Sequence, residues 1–481
     1  MKRTLLFVAL LLSRPASAAD PAPPIELGSR LELLVDRQLA DSVRGLAWKL
    51  HAPVDKGIAL KFDAPWEGNV SGYVTVLRTP GGYRMYYRAL GIVDGKVRDR
   101  DTQPHTCLAE SEDGILWRKP DLGLVAFNGS SHNNIVMGAD GDLHPAHNLA
   151  VMYDPRPDVP ADERFKAIGG MSGVFGYKSA DGRSWTRLQA AALVTKGPFD
   201  TQNTVFWDET RKQYFMYLRM TFPRTGGTER IRAIRVATSP DFRTWSEPKR
   251  IDLGASPEEH LYTNAVTPYF RAPHQFLGFP MRFVPTRMAE LPATHDAARV
   301  SGTSDSVFMT SRDGFRWERL FLEGYIRPGI GNENWTDRAN QVAWGVVPVT
   351  EEEMSVYVME HYRLPTIRMR RFGIRTDGFV SLHAPHAGGE MVTKPVRFTG
   401  RRLVVNYATS AVGSLRVELQ DAAGRPIEGH DLGAANEHFG NSIQQVIGWR
   451  GGQDVGRLAA SPVRLRFVMK DADLFSFRFV E

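Results

Sequence analysis

A chain of 481 residues with 42% hydrophobic and 24% charged residues can bury a large core and is long enough for two domains. Its formal net charge of +6 is spread along the chain without a Lys/Arg block, which argues against a nucleic-acid partner. Past the N-terminus no apolar stretch is long enough for a bilayer, which argues against membrane insertion, and a single cysteine, Cys107, rules out an intramolecular disulfide.

The first element is a secretory signal peptide over residues 1–19. Lys2 and Arg3 precede the apolar run Leu5 to Leu12, and Ala16-Ser17-Ala18 fits the small-residue cleavage rule. Cleavage near Ala18/Ala19 predicts a periplasmic or secreted protein. Residues 21–60 are ambiguous, and Leu31 to Val35 reads as a strand packed either on the last repeat or on the C-terminal region.

A short phrase then occurs four times: Ser111-Glu-Asp113-Gly114-Ile-Leu-Trp117, Ser179-Ala-Asp181-Gly182-Arg-Ser-Trp185, Ser239-Pro-Asp241-Phe-Arg-Thr-Trp245 and Ser311-Arg-Asp313-Gly314-Phe-Arg-Trp317. Repetition at a steady period marks a repeat architecture, and a spacing of roughly 60 to 70 residues suits a four-stranded propeller blade with long loops. The Asp accepts hydrogen bonds from the turn's own backbone, the Gly supplies positive φ and the Trp packs between sheets. These phrases are structural turns. Each follows strand-like runs in fixed order, beginning with Asn69 to Val76, Tyr83 to Arg88 and Thr106 to Ser111. A fifth unit, Gln341 to Val347, Ser355 to His361 and Arg368 to Ile374, ends in the degenerate turn Thr376-Asp377-Gly378-Phe379 without the Trp. The fold class expected is all-β, a five-bladed β-propeller over residues 20–382.

Beyond residue 382 the phrase disappears. Arg402 to Tyr407, Ser414 to Gln420, Gln444 to Trp449, Val463 to Val468 and Asp473 to Phe479 alternate between Gly and Asp turns, the pattern of a β-sandwich over residues 383–481. It reads as an accessory domain that stabilises the propeller.

In a propeller the innermost strands begin at the central channel, so side chains at their entries converge on one pocket. Those entries hold Trp66, Glu67 and Asn69; His147 and Asn148; Asp200 and Asn203; Glu258, Glu259, His260, Tyr262 and Asn264; Trp335, Asp337 and Arg338. Carboxylates and amides hold hydroxyls and aromatic faces stack on rings, so this lining suits a carbohydrate. No cofactor is expected, although His147, His260 and nearby carboxylates are competent ligands for a divalent cation on the channel axis.

With its five units, its Ser-x-Asp-Gly-x-x-Trp turns and its trailing sandwich, the chain resembles the five-bladed propeller glycoside hydrolases, the superfamily of invertases, arabinanases and xylosidases, and within it a secreted bacterial branch. The resemblance spans roughly residues 55 to 480 and implies a secreted glycosidase acting through paired carboxylates. The invertase motif Trp-Met-Asn-Asp-Pro-Asn is absent, and Asp63-Ala-Pro65-Trp66-Glu67-Gly-Asn69 is its nearest local analogue. Glu259 is the expected general acid, flanked by His260 and Tyr262, with Asp337 or Glu67 as base or nucleophile. Trp66, Asn69, His147, Asn148, Asp200, Asn203, His260, Tyr262, Asn264, Trp335 and Arg338 are the expected substrate-binding set. The alternatives are a sialidase using Arg338, Arg282 and Arg363, a non-catalytic sugar-binding propeller, and a lyase with a His or Tyr base acting on a uronic acid.

Overall fold

The computed structural model describes residues 23–93, 96–97, 103–138, 145–289 and 302–481, so the expected signal peptide lies outside the described residues. Five antiparallel sheets follow one another along the chain and form a propeller. The first consists of Gly72–Thr79, Gly82–Ala89, His105–Ser111 and Ile135–Met137, and the second of Ala150–Tyr153, Phe165–Gly169, Phe175–Ser179 and Thr186–Arg187. Thr204–Asp208, Gln213–Pro223, Arg230–Ser239 and Lys249–Arg250 make the third; Thr267–Tyr269, Ala272–Gly278, Met309–Ser311 and Trp317–Glu318 make the fourth. In the fifth, Gln341–Val342, Glu353–Glu360 and Arg368–Arg375 are completed on the outside by Val54–Lys61, from the chain ahead of the first sheet.

The repeated phrase closes each of the first four sheets by the same hydrogen bonds. In the first copy Asp113 Oδ1 accepts from the backbone N of Ile115 and Leu116, and Ser111 Oγ accepts from Gly114 N. Asp181, Asp241 and Asp313 repeat the Asp contacts. Gly114, Gly182 and Gly314 lie at φ of 72°, 70° and 82°, where a side chain is unfavourable, and Phe242 holds that conformation at 64° in the third copy. Each glycine carbonyl accepts a hydrogen bond from a tyrosine on the second strand of the preceding sheet: Tyr86 to Gly182 and Tyr217 to Gly314, both 2.8 Å, and Tyr357 to Gly114. Trp185, Trp317 and Trp117 stand edge-on to those tyrosines. Trp245 instead packs on Phe242, because the second sheet carries Ile168 at the register position of the tyrosine.

The Tyr357 bond runs from the fifth sheet to the first, and between the same two sheets Val76 N donates to Trp344 O and Trp344 N to Val74 O, each at 2.8 Å. The sheets therefore close into a ring without a free edge between the last and the first. The fourth sheet is interrupted at Phe279-Pro280, where proline has no N–H to donate. Its channel-side half is a separate three-stranded sheet of His260–Leu261, Met281–Val284 and Thr303–Ser306.

At the other end of the chain, the expected sandwich strands merge. Arg402–Asp421 and Val463–Val480 are two long bent strands, paired with a register shift between Thr409 and Ser414. The residues they alternate inward, among them Leu403, Val405, Leu415, Val417, Leu465, Phe467, Leu474 and Phe477, form one core. Ile25–Gly28, Glu32–Leu33, Ala40–Arg44 and Ala47–Leu50 hydrogen-bond into this same sheet. Residues 25–50 thus pair with the C-terminal strands, which corrects the expected assignment of this stretch to a propeller over residues 20–382. Alternation alone could not assign them, because both regions offer strand partners.

Candidate active site in the central basin

In an antiparallel pair the end of the second strand lies beside the start of the first, so both reach the channel. Gly72, opening the first strand of the first sheet, pairs with Arg88 near the end of the second. An aromatic residue two places before an arginine recurs at this point: Tyr86-Tyr87-Arg88, Tyr217-Leu218-Arg219 and His361-Tyr362-Arg363.

Side chains of all five sheets meet there. The Tyr73 and Tyr262 hydroxyls are 3.0 Å apart, and Tyr73 donates to Asp200 Oδ1 at 3.3 Å. His147 Nε2 lies 3.1 Å from the same oxygen and 3.1 Å from Arg88 Nη1. The Arg88 guanidinium covers the Tyr73 ring at 4.2 Å, and its Nη2 reaches the Tyr362 hydroxyl at 3.5 Å. Arg338 then bridges the rings of Tyr262 and Tyr362, at 5.6 and 5.8 Å. Contacts so run in a closed circuit around the basin. Beneath it the buried amides of Gln202 and Gln341 are joined at 3.1 Å, and Gln202 also donates to Val74 O, tying the third, fifth and first sheets.

Asp200 is the carboxylate open to ligand, with 48% of its side chain exposed. Burial pushes its carboxyl up, but the hydrogen bond and charge of His147 and the guanidinium groups of Arg88 and Arg219 outweigh this and hold it well below the usual carboxylate range. It is ionised at neutral pH. The Tyr362 phenol responds to the same field: burial raises it, and Arg88, Arg338 and Arg363 bring it below its ordinary value. Backbone strain is concentrated at this place. Tyr73, Arg338, Asn340, His361 and Arg363 have φ between 51° and 72°, each costing roughly 1–3 kcal/mol that the surrounding packing must hold.

Of the residues expected from sequence, His147, Asp200, Tyr262 and Arg338 meet in the basin, and Asn69 borders it through Arg363, whose backbone N donates to Asn69 O. Asp337 lies just beneath, 1% exposed, its carboxylate held by Arg363 at 3.0 Å, so it positions an arginine rather than facing a ligand. Two expected catalytic residues are elsewhere. The Glu67 side chain is 0% exposed and its carboxylate is taken up by the Tyr87 hydroxyl, Lys119 Nζ and Ala64 N. Glu259 is held between Arg282 at 3.2 Å and Arg319 at 2.7 Å. It faces a separate cleft of about 650 Å³ that Arg282, Asp305, Arg327 and Trp335 also line. The grouping of Glu67, Glu259 and Asp337 around one sugar ring is therefore corrected.

Several amides and rings also change role. Asn148, Asn203 and Asn264 are almost fully buried and staple strand entries: Asn148 Nδ2 donates to Gly170 O and Phe199 O, Asn203 Nδ2 to Phe199 O, and Asn264 Oδ1 accepts from Thr204 Oγ1. Trp66 bonds Asn134 and packs on Phe127. His260 pairs with Glu229 at 2.7 Å and accepts from Arg232 N. Trp335 is 37% exposed on the cleft beside the basin, whose wall residue Ser304 accepts from Arg338 N. Among the described residues no group of three or more His, Cys, Asp or Glu side chains is arranged to hold a metal ion, and the Arg88 guanidinium occupies the side of His147 where a cation would approach.

Sequence reading missed Tyr73, Arg88, Arg219, Arg232 and Tyr362, and named Arg363 only in the sialidase alternative. Most of them lie away from the strand entries, and the aromatic-x-Arg recurrence at second-strand ends was the available signal.

No family model matches the chain, and no curated protein sequence matches it. Solved structures are similar to it in part. A protein described as a glycoside hydrolase is 13% identical, with 67% of this chain and 92% of that one covered and a TM-score of 0.47. An N-acetylgalactosamine deacetylase from F. plautii is 16% identical over 70% and 97% of the two chains, with a TM-score of 0.45. A GH32 beta-fructofuranosidase from Bombyx mori is 8% identical over 88% and 94%, with a TM-score of 0.40. Likeness at this level carries no argument about this chain's chemistry.

Proposed function

We propose that the protein is a glycoside hydrolase whose active site is the central basin, with Asp200 as the ionised carboxylate acting as nucleophile or base. The observation that carries this reading is the combination at Asp200: a half-exposed carboxylate, kept charged by His147 and two arginines, where side chains at the channel ends of the sheets converge. Glycosidic cleavage needs such a group together with a proton donor for the leaving oxygen. The phenols of Tyr73 and Tyr262 and the imidazole of His147, each next to Asp200, are the donors within reach. The exposed Trp335 on the adjoining cleft offers a face for a further sugar ring. The N-terminal sequence supports export and cleavage near Ala18/Ala19. The C-terminal sheet, with residues 25–50, acts as an accessory unit.

A screen of the mature protein against plant and algal polysaccharides, with release of reducing sugar as the readout, tests this. Activity that survives Asp200→Asn undiminished would reject the assignment.

A further inference from the structure

We propose that the sugar accepted by the basin carries a singly charged oxyanion, a ring carboxylate or a sulfate ester, which is held by Arg219, Arg232 and Arg338 around the ring of Tyr262. This rests on the reading of the basin as a carbohydrate site and adds the class of sugar.

The three guanidinium groups lie 5.2, 5.7 and 5.6 Å from the centre of the Tyr262 ring. Against them stands the ionised Asp200, whose carboxylate is shared with His147 and Arg88. Arg219 Nη1 donates to the backbone O of Asp200, and Arg232 Nη1 lies 3.3 Å from His260 Nδ1, so neither contact is to a carboxylate. Arg338 reaches Asp337 only at 3.7 Å, and that carboxylate is already held by Arg363. The Nε groups of Arg219 and Arg232 are buried and have no hydrogen-bond partner among the described residues. A buried guanidinium donor without an acceptor is costly, and three like charges around one ring repel. Arg232 registers this, its guanidinium pulled below the ordinary value by burial and by Arg219 and Arg338.

An oxyanion held beside the three guanidinium groups would relieve the repulsion and accept from their terminal N–H groups. Arginine suits the task because its planar fork matches two oxygens of one group. The ionised Asp200 borders the same space, which favours a single over a double negative charge on the ligand. Neutral hydroxyls would leave the excess charge in place.

The test is calorimetric titration of the mature protein with trigalacturonate, trimannuronate and sulfated galactan oligomers, each beside its carboxyl-reduced or desulfated counterpart. At least one acidic oligomer is expected to bind about tenfold or more tightly than its neutral counterpart. The arm in which this occurs tells carboxylate from sulfate. Arg232→Gln and Arg338→Gln should remove most of that ratio by weakening the acidic oligomer far more than the neutral one, and Arg232→Lys should retain part of it. Melting temperatures of the variants close to the parent's show that the loss is not unfolding. Equal affinity for every acidic and neutral pair, or an unchanged ratio in both glutamine variants, would overturn the inference. Preference for an acidic oligomer without hydrolysis of it would keep this inference and reject the glycosidase reading; hydrolysis of neutral sugars without any preference would do the reverse.

Discussion

Where the C-terminal sheet meets the fourth propeller sheet, Arg312 is bracketed by two carboxylates, Glu32 at 2.9 Å and Asp36 at 2.6 Å. Glu32 also receives Arg30 and His274. In the central basin the proportion is reversed: Arg219, Arg232 and Arg338 surround one tyrosine ring, and against them stand Asp200, shared with His147 and Arg88, and Asp337, committed to Arg363. Both regions are rich in arginine and partly withdrawn from water. The difference teaches that charge balance separates a joint from a site: a buried cation matched by carboxylates holds two elements together, while unmatched cations keep a place for an anion.

Substitutions can break this contrast from either side. The largest effect should follow Asp200→Asn, which removes the ionised group while changing one half-exposed side chain. Turnover is expected to fall about 10³-fold, equivalent to about 4 kcal/mol, with a much smaller loss of stability from the lost contacts to His147, Arg88 and Arg219. Glu32→Gln should act in the opposite sense. It leaves Arg312 with Asp36 alone and His274 without its carboxylate, and is expected to lower stability by about 2–3 kcal/mol in denaturant titration, with kcat intact at temperatures where the protein remains folded.

Acid should sharpen the comparison further. Burial pushes the Glu32 carboxyl up, but the His274 hydrogen bond and the charges of Arg312, His274 and Arg30 bring it down to about 2 from an ordinary 4.5. A group lowered in the folded state contributes stability that is present above its unfolded value and lost as pH falls through the folded one. The joint should therefore lose about 3 kcal/mol between pH 4.5 and 2. Unfolding free energy measured across that window should fall less steeply in Glu32→Gln. The smallest effect belongs to Glu259→Gln: in the side cleft, away from Asp200, it should change kcat/KM by less than about tenfold.

Much of the architecture was legible in sequence. The Ser-x-Asp phrases fixed four turns because their hydrogen bonds are local, made by Asp and Ser to backbone within three residues. Long-range pairing was less visible. Nothing in Val54–Lys61 says that it completes the fifth sheet, and nothing in Glu32–Leu33 says that it joins Val463–Val480, since either strand would fit several edges. At the site, His147, Asp200, Tyr262 and Arg338 were found from their position at strand entries. Glu67 and Glu259 shared that position, and what withdrew them was the identity of distant partners, Lys119 for one and Arg319 for the other. A carboxylate's role depends on which cation reaches it first, and that is settled by tertiary packing.

The most direct test of the central claim is a crystal structure of the mature protein carrying Asp200→Asn with a bound acidic oligosaccharide. The account predicts a sugar ring beside residue 200, with its carboxylate or sulfate oxygens within hydrogen-bond reach of Arg219, Arg232 or Arg338. A ligand seated only in the cleft lined by Glu259 and Trp335, with the basin arginines uncontacted, would contradict it.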